Sequence, residues 1–444
     1  MRIILIISSC LLKPPEYTHH MKNPTQLEQS CHDILTKNME YTDQTVYLLY
    51  DTESPLARIL SDAWISVLEN IKQEQNPPNP LSQGGNICIR EFKNPPQPLY
   101  RGGLINPDNP HLQEQNRIIT AHNIDENKRV GLDHHEIHKT ILADSQSPGL
   151  LHASQWQEPQ EQYIDPQIED IKNALISLPA WSIVILVQST NFRLSTFRIR
   201  LELFNIGIHV VEFNHLAYIP EGEFTTFTTS LSYQTDEYVR QEWVIRGLIE
   251  ANNEALGNTR IQSVNGEFLT FWALEKIRGN TGDYTGTANK WGTFPLGEVF
   301  TESVELDWLN GRCLIESYPR EDFSVDHCAP FELVIENWRV LPSTDFPAPF
   351  AKLYNWIVQY EWEVMVRELG MGLNRAITTT TPLSDINFYE RKIGVHLSLG
   401  KKHGIYGKKL PKTMIQRFHI DVFIATEWVY IGDQRVYEGG GWTI

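Results

Sequence analysis

The sequence predicts an α/β fold in two parts: an N-terminal Rossmann-like α/β domain, then a mainly antiparallel, strand-rich domain. Three observations carry that reading. Trp181 to Val187 is a near-continuous apolar run, as expected of a parallel strand buried on both faces. Helical and extended patterns alternate from about residue 27 to 257, which implies a largely parallel sheet. From Arg260 the texture changes to short alternating segments separated by turns. A length of 444 residues makes two domains the natural expectation. The expected division is an arm over 1–26, an α/β domain over 27–257 with a loop-rich insertion at 73–165, and a strand-rich domain over 258–444.

Taken in order, Met1 to Cys10 resembles a secretory leader, but its apolar run is only Ile3 to Ile7. A leader core needs about 7–15 such residues. No other segment approaches the roughly 18 apolar residues of a membrane span, so the expectation is a cytoplasmic protein with no membrane partner. Leu27 to Met39 reads as a helix and Gln44 to Tyr50 as a strand. Ser54 to Lys72 reads as an amphipathic helix, with Leu56, Ile59, Leu60, Ala63, Trp64, Val67 and Leu68 at helical spacing. The insertion is rich in Pro, Asn, Gln and Gly, with breakers at Asn76 to Pro80 and Asn106 to Pro110. Within it, Asp133-His134-His135-Glu136-Ile137-His138 would bring His134 and His138 onto one helix face. No second ligand cluster accompanies them, and such His-rich segments are usually solvated.

After the apolar strand come a helix around Arg193 to Leu203, the strand Ile208 to Glu212, and a long helix over 232–256 ending at Gly257. Ile261 to Phe271 reads as a hairpin and Leu314 to Val340 as several short strands. A helix from about Ala351 to Arg367 is expected to end at Glu368.

Composition narrows the function. A formal charge of −17 excludes a phosphate-binding surface, and with it nucleic acid. Five cysteines, none in a CxxC, read as reduced thiols, neither a disulfide framework nor a zinc ribbon. What remains is a set of metal-ligand residue types in the last 150 or so positions: Glu298, Glu368, His396, His419 and Asp421, with His403 and Tyr406 in a connecting loop and Glu390 as a further acidic candidate. In Arg417 to Ile424, residues 418, 420, 422 and 424 are apolar. Alternation therefore puts His419 and Asp421 side by side on the other face. His396-Leu397-Ser398-Leu399 alternates in the same way. Glu298 and Glu368 lie beside Gly297 and Gly370, where a missing Cβ allows close backbone approach.

Four of these stretches, LGEVFT, ELGMGLN, HLSLG and HID, occur in the order and near the spacing of one family. The chain resembles the thermophilic-type metallo-aminopeptidases, the aminopeptidase T, aminopeptidase S and PepS group. The tail from Tyr430 to Gly439 is similar to that family's closing hairpin. The resemblance is strongest over 291–444, extends over 27–70 and 175–290, and is absent over 73–165. It implies two divalent ions (zinc, cobalt or manganese) on Glu298, Glu368, His396, His419 and Asp421, and a metal-bound hydroxide that removes N-terminal residues from a peptide substrate. It also implies a homodimer. The family places a tyrosine seven residues after the first motif histidine. Here that position is His403 and the nearest tyrosine is Tyr406, so either is a catalytic candidate, as ligand or as donor to the tetrahedral intermediate.

Two other readings stand beside this one. Ring-cleaving dihydroxypyridine dioxygenases resemble the same family and hold one iron, which has no need of both Glu298 and Glu368. An inactive family member acting as a binding protein would account for the insertion and for the shortened connection from His396 to His419.

Overall fold

The structure, a computed structural model, describes residues 25–75, 87–91, 166–190, 203–204, 206–284, 287, 289–320, 324–400 and 418–444. It has the mixed architecture expected, a parallel sheet and a large antiparallel one. Helix α1 (Gln26–Asp33) opens on a capping box: Thr25 Oγ1 accepts the Glu28 N–H at 3.2 Å, and Glu28 Oε2 accepts the Thr25 N–H at 2.7 Å. Strand β1 (Val46–Tyr50) and helix α2 (Pro55–Gln75) follow. Ser54 starts α2 by accepting the Ala57 N–H on its hydroxyl. The apolar stripe of α2 is buried except at Ile59, which is 43% exposed and lies off the expected face.

Strands β2 (Ile87–Glu91), β3 (Ile183–Val187), β4 (His209–Phe213) and, from much later in the chain, β8 (Trp291–Thr293) complete the parallel sheet in the order β2-β1-β3-β4-β8. The two faces of β3 are buried in different cores. Val184 and Leu186 pack with Ile171 and Leu175 of α3 (Pro166–Ile176), whereas Ile183, Ile185 and Val187 face α2 and the rest of the molecule. This is why the apolar run is nearly unbroken. The stretch expected to be loop-rich contributes both the end of α2 and the edge strand β2. An edge position tolerates the polar Arg90 and Glu91, which hid the strand among its neighbours.

Helices α4 (Phe224–Ser230) and α5 (Thr235–Glu254) lead into the antiparallel sheet. Its strands are β5 (Thr259–Ser263), β6 (Phe268–Phe271), β7 (Arg278–Asn280), β9 (Glu298–Thr301), β10 (Leu309–Pro319), β11 (Val325–Glu336), β12 (Arg339–Val340), β13 (Val366–Gly372), β14 (Gly394–Gly400), β15 (His419–Ile424), β16 (Thr426–Ile431), β17 (Gln434–Glu438) and β18 (Gly441–Trp442). The order is β18-β17-β16-β5-β6-β10-β15-β14-β13-β9-β7, with β11 added to β10 and β12 to β11.

Two expectations are corrected here. The region Leu314 to Val340 holds two long strands of one hairpin and the two-residue β12 rather than several short strands. Outward polar residues such as Arg312 and Glu332, which pair at 2.7 Å, interrupt the apolar signal without interrupting the strand. Helix α6 (Ala348–Glu361) stops well short of Glu368, because Trp362 turns into the left-handed region at φ 76°. The chain then pairs with β14 and β9 as β13.

The antiparallel sheet and one face of the parallel sheet share a core. Trp64 stacks near Phe213 (6.2 Å between centroids), Phe213 near Phe294 (5.7 Å), and the same apolar cluster reaches Val299 in β9. The described cysteines Cys31, Cys88, Cys313 and Cys328 are free. Among the described residues no helix is long and apolar enough to cross a membrane.

His209 clamps β4 to the late strand: its Nδ1 accepts the Lys290 N–H at 3.0 Å. Burial first, and Lys290 second, push its imidazole down to about 4 from an ordinary 6.5. Between those values the unfolded chain takes up a proton that the folded chain refuses. The stability contributed by His209 is therefore complete above about 6.5 and is lost as the pH falls towards 4. In urea titrations at pH 7 and pH 5, the wild-type midpoint should drop more than that of His209→Asn, which keeps an acceptor for Lys290 but does not titrate. Equal drops would rule out His209 as a source of acid lability.

Candidate metal centre

Four adjacent strands, β9, β13, β14 and β15, present one face of the antiparallel sheet. Residues opposite one another in such a ladder share a face. The register sets Glu298 opposite Gly372, His396 opposite both Gly370 and Phe423, Ser398 opposite both Glu368 and Asp421, and His419 opposite Gly400. Glu298, Glu368, His396, Ser398, Asp421 and His419 therefore all project to the same side. The alternation expected for β14 and β15 holds, with Leu397, Leu399, Ile420 and Val422 buried on the opposite face.

Space for these groups comes from Gly370. A Cβ built there would lie 1.9 Å from His396 Nε2 and 2.2 Å from Cε1, so the imidazole occupies the place of a missing side chain. At the entrance to β9, Gly297 holds φ 112°, and the strand begins at Glu298.

The resulting contacts are short. Glu298 Oε1 lies 3.3 Å from His396 Nε2, and Glu298 Oε2 lies 3.7 Å from Arg391 Nη1. The Ser398 hydroxyl is 2.6 Å from Asp421 Oδ1 and 3.1 Å from Glu368 Oε1, and its single proton serves one of them at a time. His419 Nε2 is 3.5 Å from Asp421 Oδ1. Ligand atoms of Glu298, Glu368 and His396 all lie within 4.8 Å of one another, as do those of Glu368, His419 and Asp421. Glu368 belongs to both groups. The side chain of His419 is 36% exposed while those of Glu298 and His396 are buried, so the open side of the site is at His419.

Electrostatics mark the site as unbalanced. Burial, then the charges of Asp421 and Glu298, push the Glu368 carboxyl well above the usual carboxylate range. Burial would raise Glu298 too, but Arg391, followed by His396 and His419, holds it below its ordinary value. Burial opposes a charge on His396, yet the three carboxylates around it raise its pKa. Nδ1 of His396 and Oε2 of Glu368 are buried without a hydrogen-bond partner, and Nε2 of His396 has only its 3.3 Å contact with Glu298 Oε1. Such groups cost free energy unless something pairs with them. A divalent cation fits: these are the nitrogen and oxygen donors it takes, gathered where three carboxylates need a counter-charge.

All five metal-ligand candidates are thus brought together. His403, Tyr406 and the segment Asp133 to His138 lie outside the described residues. Glu390 turns to Arg391 and belongs to neither group. Two contributors escaped sequence reasoning. Ser398 shares the alternation of His396 and was detectable two residues on; Arg391 approaches Glu298 only through the fold and left no local signal.

No protein-family model matches the chain, and no curated protein matches it. Among solved structures, a 2,5-dihydroxypyridine dioxygenase from Pseudomonas putida KT2440 is similar over 94% of this chain and 96% of its own, with a TM-score of 0.50 and 12% identity. Wild-type AmpT from Thermus thermophilus is similar over 94% of this chain and 99% of its own, with a TM-score of 0.51 and 11% identity. At these identities the likeness is one of fold.

The space at Gly370 is testable without any ligand. Gly370→Ala should destabilise the chain by about 1–3 kcal/mol in chemical denaturation, because the imidazole has to move. Gly247→Ala, in α5 with nothing within 4 Å of the added carbon, should stabilise by about 0.5–1 kcal/mol. If Gly370→Ala were neutral, the imidazole would not occupy that space.

Proposed function

We propose that the chain is an aminopeptidase that works with two divalent ions, zinc, cobalt or manganese, and removes N-terminal residues from peptides. The observation that carries this reading is the double membership of Glu368. One ion would be held by Glu298, Glu368 and His396, the other by Glu368, His419 and Asp421, with Glu368 between them. A single iron needs two histidines and one carboxylate; the arrangement instead divides into two groups with one histidine each. The motif resemblance supports the same choice, while the likeness in fold is shared by AmpT and the dioxygenase alike.

When bound, such ions lower the pKa of a coordinated water towards about 7 and polarise a carbonyl oxygen. The chain's residues do the rest. Ser398 donates its one proton to Asp421 or to Glu368 and so orients one of them at a time. Arg391 keeps Glu298 ionised. The exposed side at His419 is where the free α-amine of a peptide enters, to be held against a carboxylate. The water cleaves the peptide bond, its hydroxyl going to the acyl carbon and its proton to the leaving amine. His403 or Tyr406 donates to the oxygen of the tetrahedral intermediate.

The full chain should be assayed on aminoacyl-p-nitroanilides with added zinc, cobalt or manganese, and its bound metal counted. Two ions per chain and release of nitroaniline are expected. His419→Ala should remain folded, because Phe418, Ile420 and Val422 are untouched, and should lose activity by at least about 100-fold. One iron per chain with cleavage of a dihydroxypyridine ring would replace this reading by that of the other structural neighbour. Full peptidase activity and unchanged metal content in His419→Ala would end it.

A further inference from the structure

The ladder between β13 and β14 carries an irregularity at the residue before Glu368. From Glu368 to Met371 the pairs run Glu368 with Ser398, Leu369 with Leu397, Gly370 with His396 and Met371 with Val395; on the other side Val366 pairs with Leu399. One residue, Arg367, is left over, so the strand has a β-bulge there. Without it, continuing the Val366 register would set Glu368 opposite Leu397. A one-residue slip moves a side chain to the other face, and Glu368 would leave Ser398, Asp421 and His396. The shared ligand therefore depends on the bulge.

Arg367 is fixed by a partner of opposite charge. Its Nη2 lies 3.4 Å from Glu302 Oε2, both side chains are 0% exposed, and its guanidinium sits 5.4 Å from the Trp338 ring centroid. Glu302 directly follows β9, the strand that begins with Glu298. Backbone bonds brace both sides: Val366 N–H donates to Trp338 O at 2.8 Å, and Gly400 N–H donates to Met365 O at 2.7 Å. A buried ion pair is a weak source of stability, and its best-attested use is to fix a register.

We infer that the buried Arg367–Glu302 pair is a positioning device: it holds the bulge that turns Glu368 into the metal centre and ties it to the strand of Glu298. This rests on the two-ion reading above. Glu302 is in neither ligand group, and the pair acts through the register.

The test compares cobalt binding with folding in the full chain. In the double variant Arg367→Met/Glu302→Leu no unpaired charge is left, so the thermal midpoint should stay near that of wild type. Cobalt affinity should fall by at least about tenfold, and the bound count should drop below two. A folded double variant that binds two cobalt ions as tightly as wild type overturns the inference and leaves the two-ion reading intact. Wild type that binds no cobalt, zinc or manganese overturns both. If the double variant does not accumulate, Arg367→Gln/Glu302→Gln carries the same comparison: it removes the ion pair, keeps polar side chains and leaves no unpaired charge. A tenfold loss of cobalt affinity in that variant supports the inference, and unchanged affinity overturns it.

Discussion

Three carboxylates pressed onto one buried face of a β-sheet are the constraint on which the rest of the structure turns. Glu298, Glu368 and Asp421 repel one another and have little water to screen them. Each neighbouring feature answers that problem in part. Arg391 and His396 bring positive charge to Glu298, and Ser398 offers one proton to two acceptors. Ser398 reaches only Oε1 of Glu368, Oε2 is left without a partner, and burial with the two neighbouring carboxylates pushes this carboxyl well above the usual range. A cation at this face would favour its ionised form. A face built this way is expensive to fold empty, because unpaired buried polar groups each cost of order 1–3 kcal/mol. Binding of a metal and stability of the sheet are therefore linked, since any ligand that binds only the folded chain stabilises it.

How the chain affords such a site lies in the sheet. Apolar residues on the reverse side, among them Leu397, Leu399, Ile420 and Val422, anchor β14 and β15. Charge is confined to the face where it is needed. The sheet is also locally irregular around the site. Besides the bulge at Arg367, the ladder between β10 and β15 shifts between Ile315 and Ser317, so Glu316 is the odd residue against β15, and it pairs with Lys392, next to Arg391. Both irregular positions hold a charged side chain with a buried partner. Ion pairs are spent here on geometry.

Much of this was legible in the sequence, for a reason that can be stated residue by residue. Period-two alternation is a local property, so His419 and Asp421, and likewise His396 with Ser398 beyond it, could be assigned to one face without knowing what lies opposite. The apolar run at 183–187 announced a strand with two buried faces. What failed was non-local. The sequence places Glu368 at the end of a helix because Leu353, Tyr354 and Ile357 carry a helical period up to Glu361, and the left-handed turn at Trp362 has no glycine to announce it. A bulge changes register without changing composition, so nothing at Arg367 distinguishes it from an ordinary strand residue. The steric need for Gly370 appears only when His396 is brought against it.

The path of the chain around β8 bears on how the molecule can be divided. The polypeptide builds β5, β6 and β7, crosses to place Trp291–Thr293 beside β4, and only then returns to begin β9 at Glu298. Four residues separate the last position of that excursion from the first metal-ligand candidate. The two sheets are thus sewn together at the site itself, and a fragment cut near residue 258 would carry a strand whose sheet had been left behind. Neither half is a cassette that recombination could pass to another protein intact. The stitch also gives the parallel sheet, which contributes none of the five ligand candidates, a mechanical hold on Glu298.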